Sequence, residues 1–279
     1  MRSYSFIAIA AVASVVIAAG SASASLIVKG SAGGGWQSFP TALNDYTNAQ
    51  RPYWDQDTMD RAGTITNRNI GNYLNNTWTG SLPGGSAVSP NITPNWWGNA
   101  SIPDFNASMD NGIGFDLALP SNSIGAQLRL EVAGLSNTNE LGWYLLSDTA
   151  GTETLNTIFS GPTSPVSVAN FAPSASFGFY LKSGGGNVFF TESNRNRTAS
   201  GTPLGTGDRN TQHFALFASS LISGSEEYYI GVEDLTLSST GREAVGDYND
   251  LVFRINAVPT PGSLALLGLG GIVAGRRKR

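Results

Sequence analysis

The chain has 279 residues, no cysteine, a single histidine and a net charge of −4. Without cysteine there is no disulfide framework, no thiol nucleophile and no thiolate metal site. The lone His213 excludes a histidine-based metal cluster within one chain, and a Ser-His-Asp triad would have to use that one imidazole.

The first 24 residues carry the three parts of a secretory signal peptide: Arg2 as a small positive region, an apolar Ile/Val/Ala-rich run from Phe6 to Ala19, and the small-residue site Ala22-Ser23-Ala24. Cleavage after Ala24 is expected. The last 22 residues hold four further cations, so loss of both ends removes five positive charges and leaves a body near −9. Such a surface repels nucleic acid phosphates and anionic lipid, and attracts divalent cations. Only 13% of residues are charged, and the chain keeps itself soluble with Gly, Asn, Ser and Thr, a composition suited to an extracellular matrix.

Residues 25–110 read as a loop-rich N-terminal β region. The stretch from Ser31 to Ile102 is rich in Asn, Trp, Thr and Pro and has little periodicity. It contains Trp36, Trp54, Trp78, Trp96 and Trp97. An indole face covers the apolar face of a pyranose, so Trp54, Trp78, Trp96 and Trp97 form one candidate carbohydrate platform. The other reading makes these rings plugs for the ends of a β-sandwich. Asp55, Asp57 and Asp60 form an acidic cluster beside Trp54, the place where a glycoside-cleaving carboxylate pair would be sought.

Residues 111–257 read as a β-sandwich domain. Short apolar or alternating runs recur at 112–119, 126–132, 141–146, 176–181, 187–191, 213–217, 228–232 and 251–255, separated by Gly, Pro, Asn and Ser. This pattern predicts an all-β, antiparallel sandwich of jelly-roll type. Within 126–132, Leu128, Leu130 and Val132 are expected on one face and Gln127, Arg129 and Glu131 on the other. The runs Gly33-Gly34-Gly35 and Gly184-Gly185-Gly186 read as hairpin turns, since neither lies between a strand and a helix that would cradle phosphate. His213 opens an alternating strand and reads as a strand residue rather than a base.

The strongest signal in the body is Glu233-Asp234 followed, after a gap, by Gly246-Asp247-Tyr248-Asn249-Asp250-Leu251-Val252-Phe253. Asp247, Asn249 and Asp250 place three oxygen-bearing side chains within four residues, and Glu233 and Asp234 close the preceding strand. Hard oxygen donors in this number suit Ca²⁺, although the spacing is not that of an EF-hand. The structural alternative has these side chains closing turns on their own backbone, with the carboxylates paired to Arg242 or Arg254. The motif, with the Phe177-Gly178-Phe179-Tyr180-Leu181, Phe189-Phe190-Thr191 and His213-Phe214-Ala215-Leu216-Phe217 runs upstream, resembles a domain of unknown function that recurs in bacterial surface proteins and ends in an Asp-x-Asn-Asp motif. That resemblance covers roughly 141–255 and implies a fold rather than an activity.

Residues 258–279 order a Pro-bracketed turn, Pro259-Thr260-Pro261-Gly262, an apolar run of about eleven residues from Leu264 to Ala274, and the cations Arg276, Arg277, Lys278 and Arg279. A bilayer core needs about twenty residues of helix, and the terminal cations stay cytoplasmic by the positive-inside rule. A short hydrophobic helix of this kind suits a temporary membrane stop, a plain C-terminal anchor being the alternative. The tail resembles the PEP-CTERM sorting signal of bacterial surface proteins, with Thr260 where that family has Glu. The resemblance implies an exosortase-type sorting protease as partner and a transient inner-membrane stage before release to the cell envelope or matrix.

Together these features describe an exported, non-catalytic surface or matrix protein, with Ca²⁺ as a candidate stabilising ion, exopolysaccharide as a candidate partner, and no nucleic acid partner. A secreted carbohydrate-binding module is the second reading and a secreted hydrolase the third.

Overall fold

The computed structural model describes residues 26–29, 68–92, 95–96, 112–118, 123–133, 135–162, 166–205, 209, 212–218, 227–236 and 248–258. The expected signal helix, the C-terminal tail, Trp54, Trp97, Asp247 and the 55–60 acidic cluster lie outside them. Among the described residues no helix is long and apolar enough to cross a membrane.

Among the described residues thirteen strands form two antiparallel sheets. In chain order they are β1 (Leu26–Lys29), β2 (Asn95–Trp96), β3 (Gly114–Leu117), β4 (Ser123–Glu131), β5 (Glu140–Leu145), β6 (Asn156–Ser160), β7 (Val168–Phe171), β8 (Phe177–Lys182), β9 (Asn187–Phe190), β10 (Arg197–Thr198), β11 (Phe214–Ala218), β12 (Glu227–Val232) and β13 (Leu251–Val258). The first sheet runs β1-β3-β8-β5-β6, with β9 sharing the β3 edge of β8 and β10 lying on β9. The second runs β2-β11-β12-β13-β4-β7. All eight runs named from the sequence are strands, to within a few residues at their ends. β1 and β2 belong to the same two sheets, so residues before 111 contribute to the sandwich as well.

The sheets face each other across an aromatic layer. Phe179 on β8 meets Phe253 on β13 with ring centroids 5.1 Å apart, and Phe115 on β3 meets Tyr228 on β12 at 6.4 Å. Phe171 on β7 reaches across to Trp143, Phe177 and Phe179 at 5.9, 5.8 and 6.1 Å. Mostly edge-to-face packing of this kind places the positive rim of one ring on the negative face of another. Alternation supplies the layer: Ile124, Ala126, Leu128 and Leu130 of β4 are buried, while Gln127, Arg129 and Glu131 are only partly so. The alternation stops one residue earlier than the sequence suggests. Val132 is 38% exposed, because β4 ends at Glu131 and the Val132 amide turns to the carbonyl of Asp250.

Both flanks of the sandwich carry further cover. On the outside of the first sheet Tyr144, Tyr180, Val188 and Phe190 form a second apolar cluster. Its rings lie over glycines of the neighbouring strand: Gly142 pairs with Tyr180 and Gly178 with Tyr144. A Cβ at Gly178 would sit 2.8 Å from the Tyr144 hydroxyl, and one at Gly142 would sit 2.5 Å from the Tyr180 ring. On the outside of the second sheet lies a short helix, α1 (Ile70–Leu74), where the sequence suggests only loops and strands. Asn69 and Asn72 cap its first turn reciprocally, each side chain accepting the other's backbone amide. A bulge locks the following segment in place. Val252 and Phe253 of β13 face Leu130 and Leu128, leaving Arg129 as the extra residue. Its carbonyl accepts the Ala87 amide at 2.8 Å, and its guanidinium donates to the Val88 carbonyl at 2.7 Å.

Phe179 touches rings of both sheets, so Phe179→Ala is expected to destabilise the fold by about 3–5 kcal/mol. Gly178→Ala is expected to cost about 1–3 kcal/mol through overpacking against Tyr144. Urea unfolding followed by tryptophan fluorescence measures both.

Candidate functional site

The acidic motif lies at one corner of the second sheet, where β12 ends and β13 begins. Glu233, Asp234, Asn249 and Asp250 come together there, all at least nine-tenths buried. The Asp234 amide donates to Asp250 Oδ2 at 2.8 Å, and Glu233 Oε1 accepts the Tyr248 amide in a very short bond. Asn139 Nδ2 donates to Asp234 Oδ2 at 2.9 Å, while Asn139 Oδ1 accepts the Gly184 amide at 3.0 Å. Asn139 precedes β5 and Gly184 lies in the β8–β9 turn, so this asparagine carries the corner across to the first sheet. The Asn249 side chain donates to the Arg68 carbonyl just ahead of α1, and the Asp250 carbonyl accepts the amides of Val132 and Ala133 at 3.0 and 3.3 Å.

Tyr248 organises the approach to β13. Its φ is 53°, in the left-handed region that few non-glycine residues occupy. Its ring is fully buried and its hydroxyl donates to the Gln212 carbonyl at 3.0 Å. The turn passes so close over β12 that a Cβ at Gly231 would lie 2.4 Å from the Tyr248 carbonyl oxygen and 2.5 Å from Ile70 Cδ1. Backbone strain of this kind persists only where surrounding contacts overdetermine it, and such positions cluster at ligand clamps and active sites.

The structure thus puts four of the five residues suggested as Ca²⁺ ligands at one corner; the fifth, Asp247, lies outside the described residues. Among the described residues no three His, Asp or Glu side chains converge closely enough to hold a metal on their own. Each of Glu233, Asp234 and Asp250 uses a named oxygen to accept an amide proton, which is also the turn-closing role of the structural alternative. Arg254, an alternative partner for these carboxylates, instead pairs with Glu227 at 3.3 Å. Of the four indoles suggested as a platform, Trp78 is half-buried against the core with the Arg68 guanidinium 5.9 Å from its ring, Trp96 lies in strand β2, and Trp54 and Trp97 lie outside the described residues.

His213 is sealed behind this corner. Its ring stacks on Phe189 with centroids 3.7 Å apart, and its Nδ1 donates to the Glu233 carbonyl at 3.2 Å. Burial drives its pKa down to about 3, the bond to Glu233 opposing the shift. Glu131, at the end of β4, moves the other way. Burial and then the charge of Asp234 raise its pKa to about 7.

A second polar cluster escapes the sequence pattern. The Glu153 side chain is fully buried between Arg195 and Arg197, at 3.1 and 2.7 Å. Arg195 also pairs with Glu192 at 2.6 Å and donates to the carbonyls of Leu146 and Asp148. Burial pushes Glu153 upward, but the bonds from Arg197, from its own backbone and from Arg195 outweigh it and hold the pKa below the usual value. The network pins the loop after β5 to the turn between β9 and β10. The sequence gives no sign of this network, because Glu153 is 42 residues away from Arg195.

No protein-family model matches this chain, and no curated protein sequence matches it.

The two shifted groups set opposite pH slopes. Glu131 binds its proton more tightly in the fold than at its ordinary 4.5, so its contribution is lost as pH rises from about 4.5 to 7. His213 binds its proton less tightly than at its ordinary 6.5, so its contribution is lost as pH falls from about 6.5 to 3. Between about 4.5 and 6.5 the two offset each other. Glu131→Gln is expected to remove one of them, adding a slope of about 1.4 kcal/mol per pH unit relative to the native chain across that window. Chemical denaturation at a series of pH values reads the difference; superimposable profiles would contradict it.

Proposed function

We propose that this chain is an exported, non-catalytic surface or matrix protein. Its working part is a jelly-roll-like sandwich, delivered by an N-terminal signal helix and sorted through a short C-terminal hydrophobic helix. The observation that carries this reading is the acidic corner. A buried set of hard oxygen donors closes a turn in which Tyr248, a bulky residue, is left-handed. That arrangement supports a structural joint stabilised by a divalent cation better than a reaction centre. His213, behind the corner, is stacked and out of contact with solvent.

Ca²⁺ is the cation this donor set fits. Asn249, Glu233, Asp234 and Asp250 supply amide, carboxylate and carbonyl oxygens, and Asp247 completes the motif in sequence. A carboxylate that accepts one amide proton retains lone pairs for a metal, and Ca²⁺ tolerates irregular oxygen sets of six to eight. Bound to the folded state alone, it adds stability by mass action.

The test is a calorimetric melt of the protein in chelator and in excess Ca²⁺. With Ca²⁺ at a hundred times its Kd, the Tm is expected to rise by about 5–10 °C, and Asp247→Asn together with Asn249→Ala to abolish the rise. An unchanged melting temperature removes the Ca²⁺ reading and leaves the corner as a hydrogen-bonded joint. Sorting is tested separately by mass spectrometry of the product from an exosortase-bearing host. The expected product begins at Ser25 and lacks the terminal Arg276–Arg279 cations; a product with both ends intact contradicts the sorting reading.

A further inference from the structure

The strands that close one flank of the two sheets come from a segment without charged side chains. No Asp, Glu, Lys, Arg or His occurs between Glu153 and Lys182, a stretch that includes β6 and β7. Among the described residues β6 is the last strand of the first sheet, β7 the last strand of the second, and the two touch. Natural sheets usually guard such edges with charged side chains, because unpaired backbone groups invite another strand. This flank lacks that guard in a chain whose processed body is near −9.

β7 presents a usable edge. It pairs with β4 in the register Gly125↔Asn170, Ala126↔Ala169 and Gln127↔Val168. Ahead of it, the Leu128 amide donates to Ser167 and the Leu128 carbonyl accepts from Val166, at 3.0 and 2.9 Å. Ladder alternation then turns the backbone groups of Ala169 and Phe171 toward β4 and those of Val168 and Asn170 outward. Val168 is 67% exposed and Val166 50%, and Asn170 is exposed. Val166 also has a φ of 74°, a left-handed conformation unfavourable for a β-branched residue. The sequence keeps an apolar side chain on the surface there despite that strain.

We propose that β7 pairs with β7 of a second copy of this chain, antiparallel, about a two-fold axis at Ala169. The outward groups of Val168 bond to those of Asn170 in the partner, and the reciprocal pair forms across the axis, giving four backbone hydrogen bonds. The isologous contact joins two six-stranded sheets into one. Uncharged edges meet, so the repulsion between two acidic bodies is least along this approach. A pairing this short gives a weak dimer, below the size of a standard interface, and one favoured where copies are concentrated on a surface.

The absence of cysteine makes the register directly testable. Across the axis Ala169 faces its own copy as a non-hydrogen-bonded pair, whose Cα atoms stand about 4.5 Å apart, within disulfide range. Under mild oxidation of the full chain in a non-ionic detergent, A169C is expected to cross-link to dimer at least about tenfold faster than V168C or the β6 control S160C. Sedimentation of the native chain is expected to show concentration-dependent dimer. V168P, which removes an outward amide and leaves the β4 ladder intact, is expected to weaken that dimer at least about tenfold with little change in Tm. Cross-linking of A169C no faster than that of the two controls, a monomer at every concentration, or a dimer indifferent to V168P would each overturn the proposal.

Discussion

The structure depends on how its acidic corner is closed. The Asp234 amide reaches the Asp250 carboxylate at 2.8 Å, and Asn139 takes the other side of Asp234 at 2.9 Å while holding the Gly184 turn. One bond joins the end of β12 to the start of β13, and the next joins the second sheet to the first. Hydrogen bonds to charged acceptors contribute more than neutral ones, and burial makes their loss costly. The aromatic layer supplies most of the apolar burial, but it is non-directional. The corner specifies which ends of the two sheets meet.

That specificity is held against an electrostatic cost. Glu131 sits close enough to Asp234 for the two to disfavour joint ionisation. A neutral imidazole lies beneath the same corner, stacked on Phe189 and donating to the Glu233 carbonyl. The opposite end of the first sheet solves its own burial problem differently. There Glu153 is matched by two guanidiniums, one of which also lies 4.4 Å over the Phe190 ring. One end is an ion network and the other an acidic cluster that rests on amide donors.

Much of the sheet framework was legible in the sequence because short apolar or alternating runs bounded by turn residues mark β4, β5, β8, β11, β12 and β13, even where both faces are buried, as in β8. What escaped has identifiable causes. β7 shows Val168 to solvent and turns Phe171 inward, so its apolar residues do not share a face. β6 is interrupted by a register shift opposite Leu141/Gly142. Helix α1 has five residues, too few to display a 3.6-residue period, and its only local sign is the Asn-x-x-Asn spacing of its capping pair. At the site, four of the five residues named from the motif, Glu233, Asp234, Asn249 and Asp250, lie at one corner. Asn139 and Glu131 could not have been found that way. Their roles arise from sheet register and from a contact spanning 95 residues between Asn139 and Asp234. Trp78, one of the indoles named from the sequence, lies half-buried against the core.

The claim that the corner couples the two sheets is tested most directly by a double-mutant cycle on Asn139 and Asp234. Asn139→Ala, Asp234→Ala and the double variant would be unfolded in urea at fixed pH. A coupling energy of about 1.5–3 kcal/mol, the range for a hydrogen bond to a charged group, is predicted. Additivity within about 0.5 kcal/mol would show that the two residues act independently and would contradict the account.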